Sequence, residues 1–182
     1  AFTTLFSNDG TLTALSRPLF IFGAPPVGTL QINTANTLSL IDLDGAGNAG
    51  VVNVNRNQTL DVNGILADAF GGTMTLFQES TLDMSNNWGL NAGTMTANNG
   101  FVLGGLGVPD TPAGKSIIKG ATLTQSGGLI NVPDTDGTLQ FDANFTMSAG
   151  SFTNSGTVIF NETTNITTAA GYAPATATSQ TI

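Results

Sequence analysis

The sequence predicts an all-β chain that folds as a single-domain parallel β-solenoid, or β-helix, of about eight coils. The first observation behind this prediction is a recurring phrase in which a glycine precedes alternating polar and apolar residues. The phrase begins at Gly28 and returns at Gly50, Gly72 and Gly93, at steps of 22, 22 and 21 residues. Further copies begin at Gly137 and Gly156, and weaker ones at Gly10 and Gly120.

The second observation is the alternation inside each phrase. Apolar side chains occupy every other position, as in Leu30 and Ile32 or Val52 and Val54. This period of two is typical of a strand with one buried face. A second alternating run follows within each repeat, and turn-forming Gly, Asn and Asp residues separate it from the next glycine. Each repeat therefore predicts at least two short strands.

The third observation is that no run has the 3.6-residue periodicity of a helix that could cover these strands. The repeats must then cover one another, with corresponding strands stacked about 4.8 Å apart. The leading glycine fits a corner where the chain takes a positive φ. An antiparallel sandwich also has many short strands at regular spacing, but it does not require successive strand pairs to resemble each other.

Two irregularities interrupt the repeat. In the phrase that begins at Gly120, Leu123 lies one place late, which predicts a bulge or a register slip. Residues 104–116 contain Pro109 and Pro112, which exclude this stretch from a central strand, and we expect it to protrude as a loop.

The repeat divides the chain into three segments. Residues 1–9 are predicted to be an N-terminal capping or exchanged strand, and residues 10–168 the solenoid. Residues 169–182 have few side chains that could pack, so we expect a flexible or partner-bound C-terminal tail.

Composition excludes several classes of function. The net charge is −8 and only four side chains are basic, so the chain cannot form the basic patch that nucleic acid requires. No apolar run reaches the roughly 18 residues of a membrane span, and we expect no membrane insertion. We expect an extracellular location, secreted or at the cell surface, because the chain begins at Ala1 and carries Thr, Asn, Ser and Gly where Lys and Glu are usual.

The sequence offers little for catalysis. Histidine and cysteine are absent, which removes the common metal cages, nucleophile systems and the usual general base. Polysaccharide-cleaving enzymes use β-helices, but Arg17 and Arg56 lie two coils apart, with no carboxylate pair evident beside both. We therefore expect no enzyme and no catalytic residues.

Calcium is the one cofactor that the sequence suggests. Two clusters place oxygen ligands on glycine-containing turns, as Ca²⁺ prefers: Asp42, Asp44 and Asn48, and then Asp134 and Asp136. Stacked coils would also align Asp61 with Asp83. Asp-Gly turns are common without metal, so a purely structural role is the alternative.

Threonines suggest a second kind of site. Four pairs, Thr11 and Thr13, Thr73 and Thr75, Thr94 and Thr96, and Thr122 and Thr124, would form two exposed columns. Flat arrays of this kind resemble those of ice-binding β-solenoids. Threonine is also a favourable outward strand residue in its own right.

The phrases Gly137-Thr-Leu-Gln-Phe-Asp142, Ser148-Ala-Gly-Ser-Phe-Thr-Asn-Ser-Gly156 and Gly156-Thr-Val-Ile-Phe-Asn161 resemble the repeats of secreted β-solenoid adhesins. These are autotransporter passengers and filamentous-haemagglutinin-like proteins. The resemblance implies a solenoid fold and an extracellular location.

A solenoid leaves an unpaired strand edge at each end, and complementary ends propagate into filaments. We therefore expect a secreted structural subunit that assembles head-to-tail with copies of itself through its terminal segments. The alternatives are a monomeric cell-surface adhesin, which binds glycans or protein through the 104–116 loop or Trp88, and an ice-binding solenoid.

Overall fold

A computed structural model describes residues 4–8, 28–32, 36–39, 51–63, 69–70, 72–107, 109–167 and 171–174. These residues form fifteen strands and no helix. The strands are β1 (Thr4–Asn8), β2 (Gly28–Ile32), β3 (Asn36–Ser39), β4 (Val51–Val54), β5 (Thr59–Asn63), β6 (Ala69–Phe70), β7 (Thr73–Phe77), β8 (Thr81–Met84), β9 (Trp88–Leu90), β10 (Thr94–Asn98), β11 (Lys115–Val132), β12 (Thr138–Asn154), β13 (Thr157–Phe160), β14 (Thr164–Ile166) and β15 (Gly171–Pro174).

All of these strands pair in parallel, and their pairing defines three faces. The first face contains β1, β2, β4, β7, β10, residues 129–132 of β11, residues 151–154 of β12, and β15. The second contains β3, β5, β8, the first parts of β11 and β12, and β13. The third contains β6, β9, the middle parts of β11 and β12, and β14. The chain is therefore a parallel β-solenoid, as the sequence predicts.

Five turns carry a strand on all three faces within the described residues. They begin at β4, β7, β10, residue 129 and residue 151, while β1, β2 with β3, and β15 belong to incomplete turns. The described residues thus contain five complete turns, whereas the sequence predicts about eight coils. The first face alone runs through eight levels, but the first two levels and the last carry fewer than three described strands.

The glycine phrases divide between the faces. Leu30, Val52 and Met74 share one register position on the first face, which confirms the predicted stacking of these repeats. The phrase at Gly137 lies instead on the second face, where it stacks on residues 115–119. The phrase at Gly156 stacks on the Gly137 phrase in the same face. The expectation that all the glycine phrases stack in one column was therefore wrong. Each of the three corners is followed by a strand with one buried side, so the alternation alone does not tell which face a phrase forms.

The phrase at Gly120 lies on the third face. Leu123 is in register with Trp88 above and Phe145 below, and its side chain is fully buried. Leu123 therefore belongs to the third face, and the register between β11 and β12 shifts between Lys119 and Thr122, in agreement with the predicted bulge or slip. Gly120 forms the corner between the second and third faces, with a φ of 101°, and a Cβ there would lie 2.1 Å from the carbonyl oxygen of Met84.

The inward columns of the three faces meet along one apolar axis. Near the C-terminal end this core contains four phenylalanines contributed by all three faces: Phe141, Phe145, Phe152 and Phe160. The ring centroids of Phe141 and Phe160 are 5.0 Å apart, and those of Phe141 and Phe145 are 4.9 Å apart. Side chains from different faces thus cover one another, which a single short strand cannot achieve.

The strands before the first complete turn and the strand after the last complete turn extend the same stack. Strand β1 pairs in register with β2, and β15 pairs with residues 151–154 of β12. Four residues of the predicted tail, Gly171–Pro174, therefore belong to the sheet.

Replacing Phe141 by alanine tests the packing of this core. We expect a loss of about 3–5 kcal/mol in the free energy of unfolding, because the substitution leaves a cavity among the stacked rings. Phe101→Ala is the matched control, since Phe101 is 52% exposed, and it should change stability by less than about 0.5 kcal/mol. Urea unfolding of both variants measures the difference, and equal losses would contradict the burial described here.

Candidate functional site

The most distinctive feature outside the regular stack is the connection between β10 and β11, which we call the 99–114 loop. It leaves the first face after Asn98 and returns to the second face at Lys115. Other turns cross this corner directly, for example from Phe77 to Thr81. The turn that starts at Thr94 is accordingly 35 residues long, whereas the turn before it, from Thr73, has 21. The predicted protruding loop exists, and its bounds lie slightly upstream of residues 104–116.

Hydrogen bonds from neighbouring turns hold the start of this loop. The Asp134 carboxylate accepts hydrogen bonds from the backbone N–H groups of Asn99, at 3.1 Å, and Gly100, at 2.9 Å. From the turn above, the buried Gln78 side chain donates through Nε2 to the Gly100 carbonyl at 2.8 Å. Asp136 also accepts from the Phe101 N–H, at 3.3 Å. These side chains belong to the turns above and below the loop.

The end of the loop is held close to its start. The Gly114 N–H donates to the Asn99 carbonyl at 2.9 Å, which closes the base. The side chain of Asn99 is buried and donates to Ser116 Oγ at 2.9 Å and to the Thr138 carbonyl at 2.7 Å. The loop therefore rises from an ordered base in which the Asn99 amide nitrogen is paired, although its Oδ1 is buried without a hydrogen-bond partner.

Above its base the loop is a narrow hairpin. Val102 and Thr111 form an antiparallel bridge with two backbone hydrogen bonds of 2.9 and 2.8 Å. Farther from the base than this bridge, the Asp110 carboxylate accepts a hydrogen bond from the Gly104 N–H at 2.8 Å. Asp110 is the only charged residue between Asn99 and Gly114.

The outer part of this hairpin, which we call the loop tip, presents apolar side chains to solvent. Their exposed fractions are 52% for Phe101, 51% for Val102, 77% for Leu103 and 107% for Leu106. They are the exposed large hydrophobic residues of the described chain. A contiguous apolar group on a soluble surface marks an interaction site more often than an isolated apolar residue does. The signal in the sequence is the run Phe101-Val-Leu103 directly before the glycine-rich stretch.

The predicted calcium ligands have two outcomes. Asp42, Asp44 and Asn48 lie outside the described residues. Asp134 and Asp136 hold the base of the 99–114 loop through backbone N–H groups. No group of three or more acidic residues in the described ranges is close enough to hold a metal ion. Asp134 and Asp136 thus have a structural role at the base of the loop, and calcium binding at these residues stays a prediction.

The expected alignment of Asp61 with Asp83 is present on the second face. The next turns place Lys119 and then Asp142 in the same column. Lys119 Nζ lies 2.8 Å from an oxygen of Asp83, and Gln140 donates to both oxygens of Asp142 at 2.9 Å. Within this column Lys119 and Asp83 therefore form an ion pair, while Asp142 is bound by residues outside the column.

The threonine columns are short. Thr73 and Thr75 stack in register on Thr94 and Thr96, as predicted. The levels on either side carry Val51 with Asn53 and Leu129 with Asn131. Thr122 and Thr124 lie on the third face, so their predicted place in these columns was wrong. The paired threonine array covers two levels in the described part of the chain.

Comparison of the chain with protein-family models, with curated proteins and with solved structures finds no match. The described residues contain no helix with the length and hydrophobicity needed to cross a membrane. Any functional argument therefore depends on the geometry of the chain itself.

Asp134→Ala tests whether this carboxylate anchors the loop. We expect faster hydrogen exchange at the amides of Asn99 and Gly100, and faster proteolysis between residues 101 and 113, because two N–H groups lose their acceptor. The matched control is Asp142→Ala, which removes a carboxylate that accepts only side-chain donors on the second face. Unchanged exchange at Asn99 and Gly100 in the Asp134 variant would contradict the anchoring role.

Proposed function

We propose that the chain is a secreted structural subunit that assembles head-to-tail into an extracellular filament. The observation that carries this proposal is the continuity of the first face. It runs through eight levels, from β1 to β15. In the described part of the chain β1 pairs only with β2, and β15 pairs only with β12. Within the described residues, the face thus has an open strand edge at each end.

An open edge presents unpaired N–H and C=O groups that favour pairing with another strand. Since all the strands of this face run parallel, the last strand of one copy can accept the first strand of the next with the same polarity. Such a contact joins two different surfaces, so it repeats without closing and generates a filament. The joint adds strands in the way that many sheet-edge complexes do.

The register indicates how the joint would form. Leu5, Thr29, Ser151 and Gly171 belong to one column of the first face. The next copy would place its own Leu5 after Gly171 and continue the column at a rise of about 4.8 Å. The joint then has the same backbone pairing as every step within the chain.

Surface chemistry also supports a structural role outside the cell. Charged residues are only 9% of the chain, and the outward strand positions are mainly Thr, Asn, Ser and Gln.

The two alternative functions, a monomeric adhesin and an ice-binding solenoid, have less support. Trp88 is only 2% exposed and is not available to a glycan. In the described residues the threonine array covers two levels, which is small for ice, and Thr11 and Thr13 lie outside those residues.

Truncation tests the filament proposal. Chains that lack residues 1–9 or 169–182 should remain folded by circular dichroism but should form no filaments in negative-stain electron microscopy, because each lacks one half of the joint. Filaments of unchanged length from both truncated chains would contradict the proposal, as would a full-length chain that stays monomeric at high concentration.

The singly truncated chains also provide a sharper test. A chain that lacks residues 1–9 keeps its C-terminal edge, so at substoichiometric amounts it should bind one filament end and stop growth. The matched control lacks both segments and should not slow growth, because it has neither half of the joint. Equal effects of the two chains would argue against assembly through the terminal strands.

A further inference from the structure

We propose that Pro174 sets the register of the end-to-end joint, because it ends the backbone pairing between the C-terminal strand and the next copy. This inference rests on the proposed filament function and deepens it. It concerns the edge that β15 (Gly171–Pro174) leaves open in the described part of the chain.

The backbone groups of the first face point alternately to the preceding turn and to the following one. The N–H groups of Thr94 and Leu129 donate to carbonyls of the preceding turn, at Gly72 and Gly93. The inward Val132 behaves in the opposite way, since its carbonyl accepts from an N–H of the following turn at 2.8 Å. In a strand the N–H and C=O of one residue point to the same side. Outward residues of this face therefore bond the turn before them, and inward residues bond the turn after them.

The same alternation decides what β15 presents at its open edge. This strand is in register with the first-face segments of β12 and β11. The polar groups of Gly171 and Ala173 therefore face β12, and those of Tyr172 and Pro174 face the open edge. Proline has no N–H. The open edge of β15 thus offers two carbonyls but only one donor, the N–H of Tyr172.

Pro174 does not weaken the sheet within the chain. Proline is tolerated in a sheet where its nitrogen needs no partner, and the nitrogen of Pro174 faces away from β12. The missing donor therefore acts only on a strand that arrives from outside.

The first strand of the next copy would meet this edge through Leu5 and Ser7. Both are outward residues of the first face, so their polar groups point away from β2 and toward the joint. With Leu5 beside Gly171, the Leu5 carbonyl accepts from the Tyr172 N–H, and the Ser7 N–H donates to the Tyr172 carbonyl. The Ser7 carbonyl finds no donor at Pro174, but it lies at the end of the joint.

A slipped joint would place the missing donor less favourably. A slip of one residue exchanges the inward and outward sides of β1 and is excluded on that ground. A slip of two residues toward the C-terminus keeps the sides and brings Leu5 beside Ala173. The Leu5 carbonyl, in the middle of the joint, is then opposite Pro174 and stays unpaired, which is costly for a group removed from water. Pro174 therefore favours the register that continues the columns of the chain.

Disulfide trapping between two copies measures the register directly. The chain has no cysteine, so Ala173→Cys provides one thiol in β15, and a second copy carries either Ser7→Cys or Leu5→Cys. Opposed residues on adjacent strands are close enough for a disulfide. The Ser7→Cys copy reports the proposed register and the Leu5→Cys copy the slipped one. We expect about tenfold more dimer with Ser7→Cys, because the slipped joint leaves a carbonyl unpaired.

Pro174→Ala restores the N–H and should relax the register. We expect the yield of the slipped dimer, with Leu5→Cys, to rise by at least about threefold, which is the effect of one added hydrogen bond. Pro133→Ala is the matched control, because Pro133 is exposed and follows the corresponding segment of β11, which is paired on both sides. It should leave both yields unchanged. Equal yields of the two dimers in the Pro174 background would overturn the inference, as would a slipped yield that Pro174→Ala does not raise.

If the full-length chain forms neither filaments nor trapped dimers, the proposed function fails, and a peptide decides the role of Pro174 separately. Peptides of residues 1–9 that carry Ser7→Cys or Leu5→Cys are mixed with the full-length Ala173→Cys chain. The role of Pro174 predicts a preference for the Ser7→Cys peptide that falls by at least about threefold with Pro174→Ala. Equal trapping of the two peptides, or no trapping of either, would overturn it.

Discussion

Stacking of equivalent positions in successive turns is the constraint on which the whole molecule depends. No described strand has a partner within its own turn, and each pairs only with strands of the turns directly above or below it. The column Val52, Met74, Met95, Ile130 and Phe152 illustrates the result, since all five side chains are buried at one register position. The apolar axis is therefore continuous, and each turn contributes to the stability of its neighbours.

The same constraint explains why one turn can carry a long loop. The stack requires only that the chain return in register, and it does so when Ile118 comes to lie between Leu82 and Phe141. Asn99 and Asp134 hold the two limbs of the excursion near the corner. The described residues thus form a regular stack with one apolar projection at a defined place and with sheet edges open at both ends. The proposed contact along the filament axis follows from these open edges.

The sequence predicts the class of fold well because alternation and repeat spacing report directly on one-sided burial and stacking. It assigns the first-face phrases from Gly28 to Gly93 to one column. It fails at Gly137, where Gly-Thr-Leu-Gln recurs on the second face, because a short pattern with one buried side suits any face. The loop is predicted from Pro109 and Pro112, whereas its anchor Asp134 is not. Asp134 follows the loop by many residues in sequence, and only the stacking of turns brings the two together.

The most direct test of the stacking uses two pairs of spin labels. Thr96→Cys with Asn131→Cys places the labels on adjacent levels of the first face, about 4.8 Å apart along the stack. Thr96→Cys with Thr124→Cys places them on different faces, although these residues are closer in sequence. Continuous-wave electron paramagnetic resonance should show strong dipolar broadening for the first pair and little for the second. Broadening confined to the second pair would contradict the arrangement of turns described here.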